Sequence, residues 1–244
     1  MRLTTYEDEQ EAAFLRKLFL GRSGEVENTT FTILSPDASK TLSRTGRSAR
    51  NVFRSPATMA QEMTRLAGLY PGSAEAARTN PALPVTLNAR LGLNVAAGDL
   101  QPLVLVQVAS QAERSNLEGR LASLAWSDEF LGRFVYTSVA TRKELPPLTG
   151  LKEGEGIVVV VPDTFGMKGQ VLVQLPANAD EKAIAAGLRK ALTQPTGERK
   201  TMHEHRRAGI TAGAFWEPKL PVTDPQEVGA RNRARREIDR ARNP

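Results

Sequence analysis

The chain has 244 residues, a formal net charge of +6, two histidines and no cysteine, with 40% apolar and 25% charged residues. That composition belongs to a soluble globular protein with a sizeable core; it excludes a disulfide framework and thiol chemistry, and no run approaches the roughly 18 apolar residues of a membrane span. The basic excess allows weak attraction to anionic partners and is more commonly a solvated surface.

The opening MRLTTYEDEQ has no apolar stretch behind its arginine, so no secretory signal is expected and the cytoplasm is the default compartment. Thr4 and Glu7 fit a capping box, Phe14, Leu15, Leu18 and Phe19 form a helical stripe, and Gly21 stands where a C-terminal cap belongs. Residues 30–34 alternate like a half-buried strand, Ser35, Pro36 and Asp37 supply turn chemistry, and residues 41–44 return antiparallel. Ser55 and Pro56 start a second helix, in which Met59, Met63, Leu66, Ala67 and Tyr70 predict a core-facing stripe. Residues 1–70 thus read as an α/β extension of helix, hairpin and helix. From 71 to 100 the pattern loosens: Pro71, Gly72, Pro81 and Pro84 punctuate a polar, alanine-rich stretch expected to be a linker, with room for a short strand at residues 85–87.

Residues 101–193 carry the clearest pattern. Residues 103–108 form an apolar, β-branched run suited to a strand covered on both faces. A helix follows, with Ser110 and Glu113 as a capping box and Leu117, Leu121 and Leu124 as its buried face. Ser127 is expected to cap a short helix through Phe130 and Leu131, and residues 134–139 to form a strand. Residues 157–161, five β-branched residues in a row, lead through the turn PDTFGMKG to a returning strand at 170–175. A closing helix takes Asn178 as its cap and buries Ile184, Leu188, Ala191 and Leu192. The two most apolar strands, 103–108 and 157–161, are expected to lie side by side.

The order strand, helix, strand, strand, strand, helix, with VASQAERSNLEGRL at the first turn, resembles the thioredoxin-like superfamily. The resemblance covers residues 101–193 and implies an α/β fold, a mixed sheet flanked by helices. It aligns Gln111 with the tryptophan of the W-C-x-x-C motif and Ala112 and Ser115 with its cysteines. Gly156 precedes the strand where the family carries a cis-proline. The resemblance therefore implies a redox-inactive relative that binds or scaffolds another protein, with no cofactor and no catalytic residue. The alternative is an enzyme of the same fold using non-thiol chemistry on an anion, glutathione or a peroxide. The segment 1–70 parallels the second half of this domain, with Ser35, Pro36 and Asp37 answering Val161, Pro162 and Asp163, as a partial thioredoxin-like unit would.

The tail, residues 194–244, is basic. Asp224, Pro225 and Glu227 start a helix that has almost no apolar face and is expected to be solvated. Its Arg231, Arg233, Arg235 and Arg236 are candidate contacts for an acidic partner or, more weakly, nucleic acid, although no aromatic residues interleave for base stacking. His203 and His205 are candidate metal ligands, two where a site needs three or four, so no metal is expected. Ser110 and Ser115 have no histidine nearby in sequence to activate them.

Overall fold

The run LVLVQ at residues 103–107 is buried along its whole length, and the sheet is built outward from it. The structure, a computed structural model, describes residues 5–19, 30–71, 82–194, 201–215 and 217–242. Its helices are α1 (Glu9–Phe19), α2 (Ala49–Phe53), α3 (Pro56–Leu69), α4 (Ala89–Asp99), α5 (Gln111–Ala125), α6 (Glu181–Leu192), α7 (Met202–Thr211) and α8 (Pro225–Arg242). The strands are β1 (Val85–Thr86), β2 (Leu103–Gln107), β3 (Val135–Val139), β4 (Leu148–Thr149), β5 (Gly156–Pro162) and β6 (Gly169–Pro176). The chain divides into two compact units, one of Met1–Ala77 with Phe215–Pro244 and one of Arg78–Ala214.

The second unit contains a mixed sheet in the order β1-β3-β2-β5-β6-β4. Strand β3 runs parallel to both β1 and β2, while β5 runs antiparallel to β2 and β6. The two most apolar strands are adjacent as expected, with Leu105 opposite Val158. Side chains alternate between two cores, as a pleated strand requires. Val104, Val106, Ile157 and Val159 pack with Leu117 and Leu121 of α5 and Ile184 and Leu188 of α6. Leu103, Leu105, Val158 and Val160 pack with Ala89, Leu93 and Ala96 of α4.

Helix α4 corrects the linker expected at 71–100, of which residues 72–81 lie outside the described residues. Asn88 caps it by accepting from the Leu91 amide, and Leu93 and Ala96 are fully buried. Small residues allow the close approach: a Cβ at Gly92 would stand 2.8 Å from Thr86 Oγ1 and 3.1 Å from Leu103 Cδ1. Two local expectations also change. Ser127 does not cap a helix, because its hydroxyl donates to the Leu124 carbonyl and residues 127–133 only turn. Helix α6 is capped by Asp180, which accepts from the Ala183 amide at 2.7 Å, rather than by Asn178.

In the first unit the expected antiparallel return is present, held by two isolated bridges, Phe31 with Gly46 and Leu34 with Thr41, and by the Leu42 amide, which donates to the Ile33 carbonyl at 2.7 Å. Asp8, accepting from the Gln10 and Glu11 amides at 2.9 Å, caps α1; Thr4 and Gly21 lie outside the described residues. Ser55 caps α3 as expected. The α3 stripe is not core, however: Leu66 is buried, but Met63 is 50% exposed and Tyr70 40%. The basic tail divides, with α7 in the second unit and α8 in the first. Helix α8 is less solvated than its composition predicts, because Ile238 is buried.

Candidate functional site at the start of helix α5

The chain leaves β2 at Gln107 and enters α5 four residues later, so backbone amides near the helix start lack intrahelical acceptors. The protein supplies acceptors itself. Val108 donates to the Val139 carbonyl at 3.2 Å, Ala109 to Glu155 Oε1 at 3.2 Å, and Glu113 to Ser110 Oγ at 3.4 Å. Glu155 and Glu113 put two carboxylates at the positive end of the helix dipole, where an external anion would otherwise be stabilised.

The matched positions are surface residues on the first turns. Gln111, Ala112 and Ser115 are exposed, and Gln111 Nε2 donates to Ser115 Oγ at 3.1 Å. Arg114 folds back, donating from Nη1 to the Val108 carbonyl at 2.7 Å and from Nη2 to Gln111 Oε1. Glu144 is held below its usual carboxylate range, first by the Thr141 hydroxyl and amide and least by the charge of Arg114. Among the described residues the hydrogen bonds of Ser110 and Ser115 run to the Glu113 amide and to Gln111.

Gly156 is buried opposite Gln107 and Pro176, at the start of β5. Its φ of 146° and the 2.0 Å that would separate a Cβ from the Leu175 carbonyl oxygen both require glycine. Backbone therefore passes close to backbone there. Sequence reasoning missed two polar features of this sheet. Gln107, only 7% exposed, has a side-chain oxygen with no hydrogen-bond partner among the described residues, and the same holds for the buried hydroxyls of Tyr136 and Thr137. Burial pushes the Tyr136 phenol up. Polar residues inside an otherwise apolar strand, as in LVLVQ and VYTSV, are the sequence signal that could have found them.

The remaining candidates do not assemble into one site. His203 and His205 are exposed and two residues apart on α7, which turns them about 200° from each other. His205 meets the Phe165 ring in a tilted contact, 5.1 Å between ring centroids and 52° between planes. Among the described residues no three His, Cys, Asp or Glu gather as metal ligands. Of the arginines, Arg231 and Arg235 face Glu217, while Arg233 and Arg236 are exposed and Arg236 Nε donates to the Asn232 carbonyl. No helix among the described residues is long and apolar enough to cross a membrane.

One further feature belongs to the same unit. Strand β4 covers β6 only at Gly169 and Gln170, so from Val171 onward the outer edge of β6 meets no other strand among the described residues. That edge opens on a groove of about 830 Å³ between residues 150–155 and α6. Gln174 pins the loop across part of it, accepting from the Lys152 amide at 3.0 Å and donating to its carbonyl at 3.2 Å. Comparison of the chain with protein-family models, curated proteins and solved structures found no match.

Proposed function

We propose that residues 101–193 form a redox-inactive, thioredoxin-like module that binds an extended segment of another protein along β6. The fold half of this reading is supported by the order β3-β2-β5-β6, by β2 feeding α5, and by α6 packing behind the hairpin. Redox inactivity follows from Ala112 and Ser115 at the matched cysteine positions, since a thiolate is the nucleophile of disulfide exchange. The alternative of anion, glutathione or peroxide chemistry is disfavoured by Glu155 and Glu113, which already hold the helix start.

The single observation that carries protein binding is the part of the β6 edge that no strand covers among the described residues, beside its groove. An unpaired strand edge presents backbone donors and acceptors that an added strand satisfies, while the adjoining groove reads alternate side chains. Half-buried Val171, Leu172 and Leu175 give such a strand apolar contacts. Selecting dodecapeptides from a random library against the full chain tests this. The selected peptides are expected to alternate apolar and polar residues, and to lose binding when alternate backbone nitrogens are methylated. Peptides that bind equally well after methylation would contradict the reading, as would insulin-disulfide turnover by the unmodified protein.

A further inference from the structure

The first unit holds a second cavity with different chemistry. Phe215 and residues 217–222 line, with α8, a groove of about 390 Å³, within the size range of small-ligand sites, about 300–1,000 Å³. One wall is apolar: Pro218, Leu220, Pro221, Val222 and Val228 line it. The other carries Lys219, Arg231, Asn232 and Arg235, with Glu217 as the only carboxylate among the lining residues. The wall segment is restrained by its two prolines and by the Leu220 amide, which donates to the Tyr6 carbonyl at 2.8 Å.

We infer that this groove binds a small organic anion, a carboxylate or phosphate monoester carried on a flat apolar body. Charge complementarity is the first argument, because three cationic side chains line the groove against one lining carboxylate, with Glu227 Oε1 a looser 3.9 Å from Arg231 Nη1 behind it. Geometry is the second. Arg231, with 22% of its side chain exposed, lies over the Phe215 ring at 5.1 Å, which fixes the plane of its guanidinium. Arg235 stands one helical turn further on.

Glu217 marks where the anion would sit. One of its oxygens is 3.4 Å from Arg231 Nη2 and the other 3.5 Å from Arg235 Nη1, so a single carboxylate spans both guanidiniums. Close charge-assisted bonds run about 2.7–2.9 Å. These contacts are looser, and Glu217 is 61% exposed at the rim, free to swing into water. A ligand anion replaces it on the arginine pair while its body lies against the prolines and Leu220.

The test titrates the full chain with phenyl phosphate, benzoate, inorganic phosphate and benzyl alcohol, following the Arg231 and Arg235 Nε–H resonances. Phenyl phosphate and benzoate are expected to shift both resonances saturably, and their relative affinities show which headgroup the site takes. Inorganic phosphate should bind at least about tenfold more weakly, since it lacks the apolar body, and benzyl alcohol should not bind. Arg235→Gln should weaken phenyl phosphate binding by about tenfold. Glu217→Gln removes the internal competitor and should tighten it by about threefold or more. A merely structural Glu217 would not produce that gain. No saturable shift with millimolar phenyl phosphate or benzoate would overturn the inference. So would equal binding of inorganic phosphate, or unchanged or weaker binding in Glu217→Gln. Binding of polyglutamate without phenyl phosphate would likewise overturn it, in favour of an acidic protein surface.

Discussion

Two stretches of this chain carry strand-like sequence with a Pro-Asp turn, and they end differently. Residues 157–161 are five β-branched residues, four of them fully or almost fully buried, and they sit between two full-length partners as part of β5. Residues 30–34 alternate apolar and polar, and they make two single bridges. The contrast lies in what covers each face. An alternating strand has one apolar face to bury and little to gain from further pairing unless something packs on it. A continuously apolar strand must be covered on both sides, which fixes its place in the middle of a sheet.

The largest effect that sharpens this comparison is expected at Gly156. Any side chain there meets the Leu175 carbonyl and forces an unfavourable φ, so Gly156→Ala should cost on the order of 4 kcal/mol or prevent folding. Denaturant melts read this directly, and a loss below about 1 kcal/mol would mean the β5–β6 approach is looser than described. Next come Leu105→Ala and Val159→Ala, each removing a fully buried side chain between two layers, with expected losses of about 2–4 kcal/mol.

Smaller effects belong to the other unit. Ile238→Ala should cost about 2 kcal/mol, because Ile238 is buried although its helix is rich in arginine. Met63→Ala and Arg236→Ala, both at exposed positions, should stay within about 0.5 kcal/mol. Equal losses from Ile238→Ala and Arg236→Ala would return α8 to the fully solvated helix that its composition suggests.

The smallest effect is electrostatic. The Ser35 hydroxyl at 2.5 Å, with the Ser39 hydroxyl and amide, holds the Asp37 carboxyl down to about 2 from 3.8. A depressed folded-state pKa contributes stability that is present above 3.8 and is lost as pH falls toward 2. Asp37→Ala should therefore flatten the acid limb of a stability–pH curve in that window and leave its shape near neutrality unchanged. The group is fully exposed, and the change is expected to be slight. An undiminished acid limb in the variant would show that other carboxylates set it.

Much of the second unit was legible because its signals are local and strong. The 103–108 and 157–161 runs, the Ser110 cap and the Leu117–Leu121 spacing each appear in the structure as read. Helix α4 is hard to read from sequence because prolines precede it and much of its buried face is Ala89, Gly92, Ala96 and Ala97, small residues that look like linker composition. Asn88 as a cap, with apolar residues at i+1, i+5 and i+8, was the available signal. The α3 stripe misleads in the opposite direction: Met63 and Tyr70 have helical spacing, but they stand exposed. Periodicity reports a face, and tertiary packing decides whether that face is used. The Arg231–Glu217–Arg235 arrangement was not legible at all, since it brings residues 14 and 18 positions apart together across a turn of chain.

The proposed thioredoxin-like geometry is tested most directly by installing cysteines at both matched positions, Ala112→Cys with Ser115→Cys, and measuring disulfide closure and thiol titration. The two side chains stand three residues apart on the first turns of α5, close enough for a disulfide. The account predicts a reducible intramolecular disulfide and a first thiol that titrates below the free value of about 8.5. It also predicts a further fall in Glu155→Gln, once the competing carboxylate is gone from the Ala109 amide. Failure of the disulfide to close, or a thiol at or above about 8.5 in both backgrounds, would contradict it.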